Sequence, residues 1–294
     1  MKISVLLCGK NMMNEIKTVG IVGAGTMGIG IAQVCALSGY NTFLFDINAD
    51  LVAKALIQIE KNIEGGVAKG KVTAEQKKEA LARLSSVSEL AYLKADLIIE
   101  AIVEKLEVKQ KLFSELEQIN NGKAILATNT SSIPITQIAT GLKDPSKCVG
   151  LHFFNPAHIM KLVEVISGVA TSPALIDQMK EFSLSLNKVP VLAKDSPGFI
   201  VNRVARHYYV EALQILEENV AGVETIDALI QSSGFKMGPF KLMDLIGVDT
   251  NFSVTTSMYN SFHQAPKFRP SRIQEQKVNS GQLGRKTGKG FYDY

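Results

Sequence analysis

Several features that define other classes of protein are absent from this 294-residue chain. It has three cysteines, an odd number without CxxC or Cys/His ligand spacing, so we expect neither a disulfide framework nor a metal site. This cysteine usage favours a reducing, cytoplasmic location. No apolar stretch approaches about 18 residues, the length needed to cross a bilayer, so no membrane span is expected.

The charge balance excludes one class of partner. Lys and Arg total 32 residues and exceed the 28 Asp and Glu residues by four. A surplus this small and scattered does not favour nucleic-acid binding, although it is compatible with a small ligand that carries phosphate. The composition, 46% hydrophobic and 20% charged, is that of a globular protein, and the length corresponds to two domains of about 150 residues.

Residues 1–15 contain an apolar patch of six residues, Ile3–Cys8, and no cleavage site of the secretory type. We therefore expect this segment to be a dispensable or disordered extension, with Met12 or Met13 as alternative starts. The folded chain is expected to begin at residue 16.

Short apolar strands then alternate with helical segments, a pattern typical of an α/β domain with a mainly parallel sheet. A long polar helical region is predicted over residues 48–83. The predicted strands lie at residues 17–22, 41–46, 96–101, 124–128, 148–154, 160–166 and 189–193.

The pattern changes at Asp195–Gly198, a run of four turn-forming residues. Beyond it, helical periodicity continues for more than 20 residues and returns near residues 223–233 and 240–262. The sequence therefore predicts a first domain over residues 16–194 and an all-helical second domain over residues 195–294.

A GxGxxG string, residues 23–28, follows the first predicted strand and opens a helix, and Asp46 ends the next strand 18 residues after Gly28. Such glycines allow a tight turn and close approach of a pyrophosphate, while the carboxylate accepts hydrogen bonds from ribose hydroxyls. Asp46 favours NAD over NADP because it would repel a 2′-phosphate. A methyltransferase that binds S-adenosylmethionine can show a similar pattern.

His152 and Glu164 lie in two apolar predicted strands, where a polar side chain is costly without a partner. Pairing the two side chains removes both costs. The carboxylate would also raise the basicity of the imidazole, which could then act as a general base. The alternative is a structural histidine with an ordinary hydrogen bond.

The chemistry of Ser131 and Asn202 does not by itself indicate a functional role. Ser131 could simply cap a helix, and Asn202 could simply be a solvent-exposed helix residue. The string Gly284–Gly290 superficially resembles a phosphate-binding loop. Its spacing is wrong for GxxxxGK, so we reject a nucleoside triphosphatase.

Taken together, these strings resemble the short-chain L-3-hydroxyacyl-CoA dehydrogenase family, of the 3-hydroxybutyryl-CoA dehydrogenase type. The resemblance runs from about Lys17 to Tyr294 and is carried by VGIVGAGTMGIGIAQV, DLIIEAIVEKLEVKQKLF, ATNTSS, GLHFFNP, KLVEVI, DSPGFIVNR, MGPF and GRKTGKGFYDY. It implies a Rossmann domain that binds NAD, followed by a helical domain that mediates a homodimer. The implied reaction interconverts 3-hydroxyacyl-CoA and 3-ketoacyl-CoA, in fatty acid or butanoate metabolism.

The resemblance also implies roles for individual residues. His152 matches the catalytic base and Glu164 the carboxylate that orients it, while Ser131 and Asn202 match residues that hold the 3-oxygen of the substrate. The residues that match cofactor contacts are Gly23, Ala24, Gly25, Thr26, Met27, Gly28, Asp46, Glu104, Lys109, Ser131, Asn155 and Lys286. Asn62 and Lys69 match positions near the CoA moiety.

The chain departs from the family pattern at a few positions. Asn62 stands where some relatives have serine, and Ala157–His158 replace the usual Val-Pro after GLHFFNP. Two alternatives to this function stay open: a related dehydrogenase of a free hydroxy acid or sugar acid, and a non-catalytic, crystallin-like protein that binds NAD.

Overall fold

The computed structural model describes residues 15–294, so the predicted extension lies outside the described residues except for Glu15. These residues form two compact units. The first comprises residues 15–130 together with Ile135–Leu192, and the second comprises Ser131–Pro134 together with Ala193–Tyr294.

Within residues 15–294, one sheet contains eight strands in the order β3-β2-β1-β4-β5-β6-β7-β8. The pairs from β3 through β6 are parallel, and β6 pairs with β7 in antiparallel fashion. The strands are β1 Thr18–Val22, β2 Asn41–Phe45, β3 Leu84–Ser86, β4 Leu97–Glu100, β5 Ile125–Thr128, β6 Cys148–Phe153, β7 Leu162–Ser167 and β8 Val189–Lys194.

The helices of the first unit connect these strands. They are α1 Thr26–Leu37, α2 Ala49–Ala68, α3 Ala74–Ala82, α4 Leu106–Ile119, α5 Ile135–Ala139 and α6 Pro173–Ser185. The chain builds β1, β2 and β3 in one direction and then returns to place β4 on the other side of β1. Open α/β sheets bind ligands at the carboxyl ends of the strands where the order reverses, here β1 and β4.

The core of the first unit explains why its strands are nearly continuous apolar runs. Val19 and Ile21 of β1, and Leu97 and Ile99 of β4, are completely buried. Strands of a parallel sheet are covered on both faces, so both sets of alternating side chains must be apolar. The predicted fold class is confirmed.

The structure differs from the sequence prediction in one detail of this unit, and it adds the direction of one strand pair within the predicted, mainly parallel sheet. The predicted helical region over residues 48–83 is two helices, because Gly70 adopts a φ of +66° and Thr73 begins α3 with a capping box. The strands β6 and β7 form an antiparallel hairpin because the eight residues between them are too few for a parallel crossover, which needs about a dozen.

The second unit is helical. Its helices are α7 Val201–Glu217, α8 Val223–Ser232, α9 Pro239–Ile246, α10 Val248–Ser261 and α11 Arg272–Asn279. The predicted segment 240–262 is divided between α9 and α10 at Gly247, whose φ of +105° interrupts the helix. Leu213, Phe240 and Met243 form part of its core.

Two buried aspartates organise the carboxyl-terminal segment of the second unit. Asp227 accepts hydrogen bonds from the backbone N–H of Phe240 and from the hydroxyl of Tyr292. Asp244 accepts hydrogen bonds from the backbone N–H groups of Phe291 and Tyr292. The end of the chain is therefore anchored to α8 and α9.

Among the helices of residues 15–294, none combines the length and the apolar character required of a bilayer-spanning segment.

Candidate active site

His152 and Glu164 face each other across the β6–β7 hairpin. They are direct cross-strand partners in the register, and Nδ1 of His152 lies 2.7 Å from Oε2 of Glu164. Opposed residues of an antiparallel pair project on the same side of the sheet, which explains how the hairpin brings the two side chains together. His152 is 5% exposed and Glu164 is completely buried, so the pair is shielded from water.

This arrangement determines the tautomer of the imidazole. An Nδ1–H that donates to the carboxylate leaves Nε2 as the basic nitrogen. The ring of Phe154 lies 4.5 Å from the imidazole, centroid to centroid, and supplies an apolar neighbour. The geometry suits general base catalysis, in which a carboxylate stabilises the imidazolium that forms.

The glycine-rich loop after β1 leaves room for a ligand at the start of α1. Gly23 has a φ of +110°, and a Cβ there would meet the carbonyl oxygen of Ala101 at 2.5 Å. A Cβ on Gly28 would meet the carbonyl oxygen of Gly23 at 1.8 Å, whereas a Cβ on Gly25 would meet nothing within 4 Å. The first and last glycines are thus required by the turn, and the middle one borders open space.

Gly25 is also the N-cap of α1, and it provides no side-chain cap. The first N–H groups of a helix have no intrahelical acceptor and attract anions, so the loop fits the pyrophosphate of a dinucleotide. Thr26 and Met27 belong to this first turn, and Ala24 precedes it.

Asp46 lies directly after β2 and is tied to the same loop. Its Oδ2 accepts a hydrogen bond from the backbone N–H of Ala24 at 2.8 Å, and its Oδ1 accepts one from Asn48 at 3.0 Å. Each carboxylate oxygen has a second lone pair for a ribose hydroxyl. The residues present therefore fit NAD.

Glu104 and Lys109 belong to a network at the carboxyl ends of β4 and β5. Lys109 Nζ lies 3.1 Å from Oε2 of Glu104 and 2.5 Å from Oε1 of Glu100. The side chain of Lys109 is only 1% exposed, whereas that of Glu104 is 37% exposed. Of the two predicted cofactor contacts, Glu104 is thus the one that solvent reaches.

Asn155 follows β6 in an exposed segment that a buried lysine holds in place. Lys188 is 6% exposed, and its Nζ donates to the carbonyl oxygens of Ala157 at 2.5 Å and Met160 at 2.7 Å. Burial lowers the pKa of Lys188. The lysine stabilises the segment that includes His158, an exposed side chain.

Asn62 and Lys69 both belong to the α2 region of the first unit. The Asn62 amide accepts a hydrogen bond from Gln58 at 2.8 Å and donates one to the buried Gln33 at 3.1 Å. Lys69 is the exposed C-cap of α2. Asn62 is therefore anchored between α2 and α1, while Lys69 is free to meet a ligand from solvent.

The remaining predicted site residues lie in the second unit. Asn202, near the start of α7, donates from Nδ2 to the carbonyl oxygen of Ser131 at 3.4 Å. Lys286 Nζ lies 2.7 Å from Oδ2 of Asp249. Burial opposes ionisation of Asp249, but the hydrogen bond from Lys286 helps to leave the pKa of that carboxyl below its usual value.

The sequence reasoning missed three residues at the carboxyl edge of the sheet. Glu100 ends β4 and is completely buried, while the apolar side chains of Ile47 and Val103 are 96% and 61% exposed. Glu100 could have been identified from the sequence, because it is a single glutamate at the end of an apolar strand. Exposure of Ile47 and Val103 cannot be read from a sequence.

Comparison with known proteins identifies the family of the chain. Residues 18–196 match the family model described as 3-hydroxyacyl-CoA dehydrogenase, NAD binding domain, and residues 198–294 match 3-hydroxyacyl-CoA dehydrogenase, C-terminal domain. The chain therefore belongs to the NAD-dependent 3-hydroxyacyl-CoA dehydrogenase family.

Two curated relatives illustrate the similarity. The chain is 49% identical to the 3-hydroxyadipyl-CoA dehydrogenase of Escherichia coli over 285 residues, which cover 96% of this chain and 60% of the relative. It is 42% identical to the 3-hydroxybutyryl-CoA dehydrogenase of Bradyrhizobium diazoefficiens, covering 96% of this chain and 97% of the relative. The chain thus spans less than two thirds of the first relative and nearly all of the second.

A solved structure, titled as the 3-hydroxybutyryl-CoA dehydrogenase of Escherichia coli K12, superimposes with a TM-score of 0.92 at 48% identity. The match covers 95% of this chain and 60% of the solved chain.

Proposed function

We propose that the protein interconverts L-3-hydroxyacyl-CoA and 3-ketoacyl-CoA with NAD, preferring short acyl chains such as 3-hydroxybutyryl-CoA. The observation that carries the proposal is the buried contact of 2.7 Å between His152 and Glu164. A general base held by a carboxylate is what removal of a hydroxyl proton requires. The reaction belongs to fatty acid or butanoate metabolism.

His152 takes the proton of the substrate hydroxyl at Nε2, while Glu164 stabilises the imidazolium through Nδ1. The chemistry that bound NAD would supply is that of a hydride acceptor for C3 of the substrate. In the reductive direction the imidazolium of His152 returns the proton to the substrate oxygen. Ser131 and Asn202 hold that oxygen, as their match to the family suggests.

The other binding residues follow from the same proposal. Asp46 accepts hydrogen bonds from the adenosine ribose, and the Gly23–Gly28 loop receives the pyrophosphate. Glu104, Lys109, Asn155 and Lys286 complete the cofactor site. Lys69 supplies a cation to a phosphate of CoA, and Asn62 lies on the same helix. We also propose a cytoplasmic location, because three cysteines without disulfide or ligand spacing are typical of a protein in a reducing compartment.

The test is a panel of substrates assayed by oxidation of NADH at fixed protein concentration. It includes acetoacetyl-CoA, longer 3-ketoacyl-CoAs and 3-oxoadipyl-CoA, because one relative is named a 3-hydroxyadipyl-CoA dehydrogenase. We expect the highest kcat/KM with acetoacetyl-CoA. Turnover of free keto acids alone would select the free-acid dehydrogenase, and no turnover with intact NADH binding would select the crystallin-like alternative.

The cofactor preference provides a second test. We expect NADH to bind more tightly than NADPH, since Asp46 would meet a 2′-phosphate as a like charge. Loss of one charge-assisted hydrogen bond costs about 1.5–3 kcal/mol, so Asp46→Ala should weaken NADH binding by about tenfold or more. The same change should reduce the preference for NADH over NADPH. The exposed Asp177→Ala on α6 is the matched control.

Both dissociation constants can be measured from the fluorescence of the reduced cofactors, because the chain contains no tryptophan to act as donor. Equal or tighter binding of NADPH by the unmodified protein would contradict the assignment of Asp46.

A homodimer is the expected assembly. The proposed dimer would cover some of the large apolar side chains that the second unit exposes, which include Val204 at 69%, Leu229 at 65%, Phe235 at 55% and Leu245 at 49%. Light scattering should report twice the 31.9 kDa mass of the chain. Leu229→Glu should weaken the dimer, and Ile57→Glu on α2 should not. A stable, active monomer at micromolar concentration would argue against this assembly.

A further inference from the structure

A buried carboxylate lies behind the proposed cofactor site. Glu100 ends β4 and is completely buried. Its Oε1 accepts hydrogen bonds from Lys109 Nζ at 2.5 Å and from the backbone N–H of Ile102 at 2.8 Å, and its Oε2 accepts one from the Thr128 hydroxyl at 2.8 Å. Three donors of different kinds thus converge on one carboxylate.

Burial of this kind requires an opposite charge. An ionised carboxylate without water costs several kcal/mol, and the cost is offset only by a partner with good geometry and further hydrogen bonds. Lys109 supplies the opposite charge, and Ile102 and Thr128 supply the further hydrogen bonds. The Lys109 ammonium is equally dependent on Glu100, because its side chain is only 1% exposed.

The network continues from Lys109 toward the ligand-binding edge. Lys109 Nζ also lies 3.1 Å from Oε2 of Glu104, whose Oε1 accepts the Thr130 hydroxyl at 2.5 Å. The backbone N–H of Thr130 in turn donates to the Thr128 hydroxyl oxygen at 3.1 Å. Glu100 is therefore linked through Lys109 to Glu104, and through Thr128 to the residue that precedes Ser131 in the chain.

The position of this network in the fold indicates its role. The loop between β4 and α4 lies at the edge where the strand order reverses, and Glu104 is the partly exposed member of the network. A loop of exposed residues has few apolar contacts to fix it, so the buried ion pair fixes the direction of Glu104.

We infer that Glu100 is a positioning residue for NAD binding: through the buried ammonium of Lys109 it holds Glu104 in the orientation that contacts the cofactor. Lys109 Nζ is the link between the two carboxylates, since it lies 2.5 Å from Glu100 and 3.1 Å from Glu104. The inference rests on the proposed roles of Glu104 and Lys109 in the cofactor site.

The variant Glu100→Gln tests this role with little change of shape. Its amide oxygen can still accept from Lys109 and Ile102, and its amide nitrogen can donate to the Thr128 oxygen, so the charge is removed while the partners remain. We expect the dissociation constant of NADH to rise about tenfold, because the charge that holds the Lys109 ammonium beside Glu104 is lost. The KM for acetoacetyl-CoA should stay within about twofold, because Glu100, Lys109 and Glu104 are not among the proposed substrate contacts.

The matched control is Glu117→Gln. Glu117 lies on α4, like Lys109, is 7% exposed, and accepts the backbone N–H groups of Lys143 and Asp144 at 2.9 Å each. This variant should lower Tm because a buried acceptor of two backbone hydrogen bonds is weakened, and it should leave NADH affinity within about twofold because those bonds go to Lys143 and Asp144.

A double variant shows whether Glu100 acts through Lys109. If it does, the variant that combines Glu100→Gln with Lys109→Met should bind NADH no more weakly than Lys109→Met alone. The losses of affinity in the two single variants would then not be additive. The double variant removes one charge of each sign and so leaves neither partner of this ion pair buried without the other. If Lys109→Met alone fails to fold, Glu100→Gln and its control still test the inference.

Unchanged NADH affinity in Glu100→Gln, or fully additive losses in the double variant, would overturn the inference. The test measures NADH binding and not turnover, so the inference and the proposed reaction can fail separately. Even a protein that does not turn over acyl-CoA would show whether Glu100→Gln weakens NADH binding.

Discussion

Replacement of His152 by alanine is expected to lower kcat for acetoacetyl-CoA reduction by about 10²- to 10⁴-fold, the range that a positioned general acid or base contributes. The dissociation constant of NADH should change little, because the proposed role of the imidazole is proton transfer at the substrate oxygen. Glu164→Gln should also be slow, since the carboxylate that orients the ring and stabilises its charge is lost. Single-turnover measurements separate the chemical step from product release.

Two controls make this result specific. His263→Asn removes an exposed imidazole from the second unit at a residue with φ of +52°, a conformation that asparagine tolerates, and should retain full activity. Thermal unfolding of each variant shows whether it is folded, because Glu164 is buried and its neutral replacement can lower stability. A folded His152→Ala with near-parental turnover in the chemical step would refute the proposed base.

The second large effect is expected from the CoA part of the substrate. Binding energy from a remote group can orient C3, so removing that group should reduce kcat as well as affinity. We therefore expect kcat/KM for acetoacetate to lie at least about 10³-fold below that for acetoacetyl-CoA, since about 4 kcal/mol of remote binding energy is lost. Steady-state assays with NADH at saturation measure both constants.

Lys69 is the residue expected to mediate part of this effect. Lys69→Glu should raise the KM for acetoacetyl-CoA and leave NADH affinity nearly unchanged. Lys54→Glu is the matched control, because Lys54 is exposed on the same helix, about 22 Å away at 1.5 Å per residue. Comparable specificity constants for thioester and free acid would favour the free-acid dehydrogenase, and an unaffected KM would exclude Lys69 from the CoA site.

The sequence predicted the fold well where a single physical rule dominates. Buried parallel strands are nearly continuous apolar runs, so the segments that contain β1, β4 and β6 were identified correctly. The three-residue strand β3 was missed, because only Leu84 is apolar and the edge of a sheet demands little burial. The helix α11 was missed because its one completely buried side chain is polar, Gln274.

The candidate site was predictable to the extent that its chemistry is local. The glycine loop and Asp46 have fixed spacing, and a polar residue in each of two apolar strands suggested the His152–Glu164 pair. Which side chains meet behind the loop was not predictable, because Glu100, Lys109 and Thr128 come from β4, α4 and β5. The catalytic and binding roles of all these residues stay predictions.

The antiparallel register of β6 and β7 makes the proposed dyad an indicator of correct folding. A slip of one residue in this hairpin would place Val163 or Val165 opposite His152 and turn Glu164 to the other face of the sheet. A chain folded with that error could retain most of its secondary structure and still lack its base. Specific activity per folded molecule therefore reports on strand alignment, which circular dichroism cannot see.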